Sequence, residues 1–182
     1  MTGVMRRPLP DLPWISSFPE LNLRLYVEHN GKPGVWFLSL DASNPLAVWA
    51  ARRFFYLPYW CARIDFAREN DGFRFHSVYA GRERNVKFEA SYRPTSAPFT
   101  AGPETLEKFL TERYCLYSKS QDGRLYRGEV HHAPWPLQQA EGTVFADQLL
   151  APHGLSTHGA SPVLHYSRGV EVVVWSLEEL IL

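Results

Sequence analysis

Four groups of residues in this chain have the types and spacing to do chemistry. The first is Glu20-Leu21-Asn22-Leu23-Arg24. Alternation puts Glu20, Asn22 and Arg24 on one side of an extended strand. A carboxyl there acts as general acid or base if burial raises its pKa, and an arginine clamps a carboxylate through two hydrogen bonds. The same alternation also describes the solvated face of an ordinary antiparallel strand, and the residues leave both readings open. The second group is Ala50-Ala51-Arg52-Arg53 with Leu57-Pro58-Tyr59. Arg52 on a helix over a sheet holds an acid or makes a surface ion pair. The third, Phe109 to Tyr117, is dense in aromatic and charged side chains around Arg113. It suits a ligand site or a structural polar network at a helix-to-strand junction. The fourth is His131-His132-Ala133-Pro134-Trp135-Pro136. Neighbouring histidines on a strand point to opposite faces and so do not share a metal, but His131 has a side chain that titrates near neutrality.

What is missing narrows the chemistry. There is no HExxH, CxxC, GxGxxG, P-loop or GxSxG pattern, so neither a metal nor a cofactor is expected. Cys61 and Cys115 are too few for a disulfide framework or a thiolate zinc site. Lys+Arg and Asp+Glu are 19 each, without the basic excess that drives nucleic-acid binding. No run approaches the ~20 apolar residues of a membrane span. Met1 to Trp14 has no apolar core of a secretory signal. A cytoplasmic protein with a small-molecule ligand, and no nucleic-acid or membrane partner, is expected. Homo-oligomerisation stays open.

The elements that must position these groups are mostly strands. The length of 182 residues fits one domain. Residues 1–17 are Pro-rich and read as irregular, with a single domain over 18–178. Glu20 to His29 alternates with period two, Gly31 to Gly34 reads as a turn, and Val35 to Leu40 as its partner strand. Asp41, Ser43 or Asn44 caps a helix that begins with Pro45 and runs to about Tyr56. Trp60–Ala67 and Phe73–Tyr79 flank Asn70-Asp71-Gly72 as a hairpin, and Asn85–Tyr92 is a further strand. Glu104–Arg113 reads as an amphipathic helix with Leu106, Phe109 and Leu110 on one face. Tyr114–Lys119 and Leu125–His131 form a hairpin; Gln138–Val144 reads as a strand and Phe145–Leu150 as a helical turn. Pro162–Ser167 and Val170–Trp175 close the chain. The fold class expected is α+β, mostly antiparallel sheet curled into a partly closed barrel with two or three short helices.

Five ordered motifs resemble the YqjF-like family of uncharacterised conserved proteins. They are Phe18 to Val27, Gly34 to Ala42, Leu57-Pro58-Tyr59, Phe109 to Tyr117 and His131 to Leu137. That family is distantly similar to the acetoacetate decarboxylase superfamily, which implies a cone-like barrel enclosing a small-molecule cavity. In the decarboxylase a lysine just after a Tyr-Pro pair forms a Schiff base with a keto acid. Here the comparable stretch is Leu57-Pro58-Tyr59-Trp60-Cys61, and none of Lys32, Lys87, Lys108 and Lys119 is near it in sequence. Decarboxylation through a lysine Schiff base is therefore not expected. Family members carry a segment upstream of the Pro-rich stretch, and Met1 to Val4 resembles an interior part of the family. The resemblance thus implies that Met1 is an internal methionine and that upstream strands are missing.

The expectation for the site is a cavity with Glu20 and Tyr59 as catalytic groups and Asn22, Arg24, Arg52, Arg113 and His131 as binding groups. Glu20 matches the glutamate strand of the decarboxylase, and Tyr59 takes the approximate place of its lysine. A non-catalytic binding module and a structural or interaction protein on the same fold are the alternatives.

Overall fold

Three Asn/Asp-Gly corners organise the chain into hairpins. The computed structural model describes residues 4–6, 18–81, 85–157 and 159–181. Strand β1 (Val4–Arg6) is followed by β2 (Glu20–His29) and β3 (Lys32–Ala42). Their turn is Asn30-Gly31, both at positive φ, which suits the twist of a two-residue hairpin. Pro33 and Gly34, expected in the turn, instead pair with Glu28 and Val27 at the start of β3. The expected irregularity of residues 1–17 fails at β1, which pairs in parallel with a late strand; residues 7–17 lie outside the described chain.

Helix α1 (Pro45–Phe55) starts on Asn44, whose side chain accepts from the Leu46 and Ala47 amides. It ends at Tyr56, in the left-handed region at φ 52°. Ala47 and Val48 are its buried residues, while Trp49 and Phe54 pack edge-on at 5.8 Å on the exposed side. The chain then returns to β3 as β4 (Tyr59–Cys61). Ala62 breaks the expected strand, and β5 (Arg63–Glu69), β6 (Gly72–Ala80) and β7 (Asn85–Pro94) form a meander. Helix α2 (Leu106–Thr111) is shorter than its sequence pattern, and Thr105 caps it. None of its residues is buried; Leu106 and Phe109 are about half exposed, against the expected packed face.

Strands β8 (Cys115–Lys119) and β9 (Leu125–His132) form the next hairpin. Strand β10 (Leu137–Asp147) passes through a bulge at Phe145, so the helical turn expected at 145–150 is strand as far as Asp147. A 3₁₀ turn follows at Ala151–His153. Strands β11 (His165–Ser167), β12 (Val172–Val174) and β13 (Glu178–Leu180) end the described chain.

Two curled sheets result. The first has the order β1-β12-β9-β8-β3-β2, with β13 also on β9 and β4 also on β3; the second is β11-β10-β7-β6-β5. Strand β3 is enclosed at its C-terminal end, where Ser39, Leu40, Asp41 and Ala42 are all buried. It pairs with β2 on one edge and on the other with β8 at Val35–Trp36, then with β4 at Leu40–Ala42. Changing partners along one edge opens a fork in the sheet between β8 and β4.

Candidate active site on the first sheet

The register of β3 brings Glu20 and Tyr59 together. Glu20 lies opposite Ala42, and Leu40 lies between Asn22 on one side and Tyr59 on the other. Directly paired residues share a face, so Glu20, Asn22 and Tyr59 project to the same side of three adjacent strands. The Tyr59 hydroxyl donates to Glu20 Oε2 at 2.7 Å, and Asn22 Nδ2 stands 3.5 Å from Oε1. Burial pushes the Glu20 carboxyl above the ordinary carboxylate range, and the hydrogen bonds from Tyr59 and Asn22 oppose that rise. Tyr59 is driven well above an ordinary phenol, first by burial and then by the adjacent carboxylate. Both shifts leave more of the protonated form, so this is a proton-holding pair with no cation bonded to it among the described residues.

The other expected residues separate from it. Arg24 shares the face of Glu20, but four residues along a strand is about 13 Å. Its guanidinium donates to the Leu110 carbonyl at 3.0 Å and to the Tyr26 hydroxyl at 3.2 Å. Arg113 lies over the ring of Phe109 at 4.2 Å and that of Tyr26 at 5.6 Å. It donates to the Glu112 carbonyl, and its buried Nε has no partner among the described residues. The two arginines and Tyr26, whose hydroxyl also donates to Leu110, therefore form a second cluster under α2. Tyr26 was a missed member; period two already placed it on the face of Arg24.

Arg52 is exposed and stacks on Trp60 at 5.5 Å. His131 is a correction to the expected lining. It is exposed, stands near Tyr114 and Trp175, and lies toward the β2–β3 turn, since Val130 bonds back to Tyr114 where β8 begins and β8 begins beside the start of β3. Glu20 is at the other end of β2. His132 is the buried member of the pair, stacked on Tyr114 and 2.8 Å from the Ala133 carbonyl. The face each histidine takes depends on strand phase, which the two letters do not reveal.

No lysine is hydrogen-bonded to Glu20 or Tyr59 among the described residues. Lys32 pairs with Glu129, Lys87 with Glu89, and Lys108 and Lys119 are exposed. No cluster of metal-ligating groups occurs among the described residues. No described helix is long and apolar enough to cross a membrane.

The architecture is that of an acetoacetate decarboxylase-like fold. The acetoacetate decarboxylase of Legionella pneumophila superposes with a TM-score of 0.62 at 15% identity, over 91% of this chain and 68% of that one. The enduracididine biosynthesis enzyme MppR, in its complex with pyruvate, superposes at 0.51 and 19% identity, over 85% of this chain and 60% of that one. Within that fold the chain belongs to the DUF2071 family of uncharacterized conserved proteins, whose pattern it matches over residues 1–171. The uncharacterized protein YqjF of Bacillus subtilis (strain 168) is 42% identical over 179 residues, 98% of this chain and 73% of that protein.

Proposed function

We propose that the chain binds a small keto- or carboxylic-acid-like molecule on the inner face of the first sheet, at Glu20 and Tyr59, without lysine Schiff-base chemistry. The observation that carries the reading is the 2.7 Å Tyr59–Glu20 hydrogen bond between two groups that burial holds toward their protonated forms. A carboxyl poised in this way exchanges a proton with a carbonyl or the carbon beside it. Tyr59 hydrogen-bonds a carbonyl oxygen once it turns from Glu20, and Asn22 adds an amide. The acid class is supported by Arg24, Arg52 and Arg113, none of which has a carboxylate partner among the described residues. Their positive potential on and around this sheet favours an anion. The keto-acid member of the class is supported by MppR, which holds pyruvate on the same fold.

Thermal unfolding with and without pyruvate, acetoacetate and other oxo-acids tests the reading. Saturation at a hundred times the dissociation constant raises stability by ~2.7 kcal/mol. A selective shift that Glu20→Gln removes is the expected result, and turnover, where present, disappears in the same variant. An oxo-acid shift unchanged in Glu20→Gln and Tyr59→Phe would sink it.

An interaction role has its own observation. The cross-strand row Phe66–Phe75–Ala90–Val144 ends in two exposed apolar side chains, Phe66 at 52% and Val144 at 41%. Exposed apolar surface of this kind marks contacts with other chains. A strictly monomeric mass by light scattering at high concentration counts against self-association through it.

A further inference from the structure

Strand β5 ends the second sheet with one edge open. It pairs with β6 along its length, and among the described residues no strand pairs with its other side. An edge of this kind presents a row of free N–H and C=O groups to any strand that fits beside it. Its side chains sort to two faces. Arg63, Asp65, Ala67 and Glu69 project to one, where Asp65 lies in register with His76 and Glu89. Phe66 projects to the other, where its ring stacks on Phe73 at 5.6 Å, and Phe73 in turn on Tyr166 at 5.3 Å. The Phe66 side chain still leaves the residue 52% exposed.

What the edge fits is written in its own sequence. Arg63-Ile64-Asp65-Phe66-Ala67-Arg68-Glu69 is self-complementary when two copies run antiparallel about Phe66. A two-fold axis normal to the sheet keeps each face on its own side. It sets Arg63 against Glu69, Ile64 against Arg68, Asp65 against Ala67, and Phe66 against its own copy. Each charge then meets an opposite charge or an uncharged side chain, and opposite charges directly across an antiparallel pair stabilise it. Sliding by two residues, which keeps the faces, sets Asp65 against its own copy in one direction and against Glu69 in the other. Like charges in such positions repel, so charge specifies the register. On the apolar face the two Phe66 rings meet at the axis, each backed by its own stack of Phe73 and Tyr166.

We propose that β5 is a self-association edge: two copies of this chain pair antiparallel there, centred on Phe66, and join their second sheets into one continuous sheet. The inference deepens the interaction role of the apolar row from Phe66 to Val144 and rests on that reading.

Sedimentation velocity over rising concentration is the test, and a monomer–dimer equilibrium is expected. The Arg63 side chain is 83% exposed and Glu69 is exposed as well, so reversing either charge leaves the fold intact. The two-fold counts each pair twice, and Arg63→Glu or Glu69→Arg alone should weaken the dimer roughly tenfold. The two changes together restore it, because the pair is remade with its charges exchanged. Arg63→Cys with Glu69→Cys reads the register, in a Cys61→Ala background that removes the exposed native thiol. Six residues along a strand span about 20 Å, so a disulfide between positions 63 and 69 forms only between copies, and peptide mapping after mild oxidation should recover it. A chain that stays monomeric overturns the proposal and, with it, self-association through the apolar row. A dimer that both charge reversals leave intact, or that yields no such cross-link, overturns the β5 joint. If Val144→Lys dissolves that dimer, the joint falls while the interaction role of the face stands.

Discussion

Two glutamates on two strands have opposite fates. Glu20, on β2 of the first sheet, bonds to a phenol and faces an amide, and burial raises its pKa. Glu89, on β7 of the second sheet, sits between Arg74 at 2.7 Å and Lys87 at 2.9 Å and is pulled down to about 2. The same side chain is thus biased toward its protonated form in one place and toward its charged form in the other. The second sheet spends its carboxylates on cations, as in the triplet of Arg93 with Asp71 and Glu141. On the first sheet, Glu20 has no cation bonded to it among the described residues. Surface pairs of the former kind add little stability, whereas a desolvated carboxyl without a counter-charge is costly to ionise. The difference separates carboxylates fixed by exposed ion pairs from one that is desolvated beside a phenol.

The strongest way to break this contrast is to remove the ground beneath Glu20. Leu40 is 2% exposed and stands between Asn22 and Tyr59. Leu40→Ala should cost about 2–5 kcal/mol in denaturant melts, and Phe66→Ala, at a half-exposed position, clearly less. Equal losses would mean that the two sheets are equally well packed there.

Tyr59→Phe comes next. Losing a hydrogen bond costs about 0.5–1.5 kcal/mol, and more for the fraction of Glu20 that is charged. Since that bond opposes the effect of burial, the Glu20 pKa should rise further, which carbon-detected NMR of the carboxyl reads directly. A fall would show that the phenol does not stabilise the carboxylate.

The pH profiles should then carry opposite signs. Glu20 binds its proton more tightly folded than unfolded, so its contribution declines as pH rises from 4.5 through its raised folded value. Melting temperatures of Glu20→Gln should therefore gain on the parent as pH goes from 4 to 7. Glu89 is the reverse. Its contribution is complete above 4.5 and is lost as pH falls toward about 2, so the deficit of Glu89→Gln should shrink on acidification. Parallel profiles for the two variants would dissolve the distinction. The smallest effect belongs to Arg93→Ala, whose ion pairs are exposed, and thermal melts should show it shrinking further as salt is added.

Much of this frame was legible in the sequence, for local reasons. Period two in Glu20–His29 reflects a strand with two distinct faces, and Asn44-Pro45 is a capping pair whose geometry is written in three residues. Several of the misses required distant partners. Strand β13 is three residues long and exists because Arg127 and Leu125 of β9 offer it an edge. The bulge that carries β10 through Phe145 is imposed by its pairing with β7. Glu20 and Tyr59 were selected through the family resemblance, but their contact depends on β3 lying between them, which no spacing in the sequence encodes. Arg24 shows the converse error: the correct face, with a guanidinium committed to Leu110 instead.

The indexing of Glu20 and Tyr59 on one shared strand has a practical meaning for anyone wishing to rebuild this protein. Residues 43–58 leave β3 and come back to it. They are a detour whose two ends are pinned by the backbone ladder. The ladder sets the distance between the acid and the phenol at both ends of this detour while Ala47 and Val48 tie its middle to the core, so its exposed positions are the ones a redesign can exchange without moving either group.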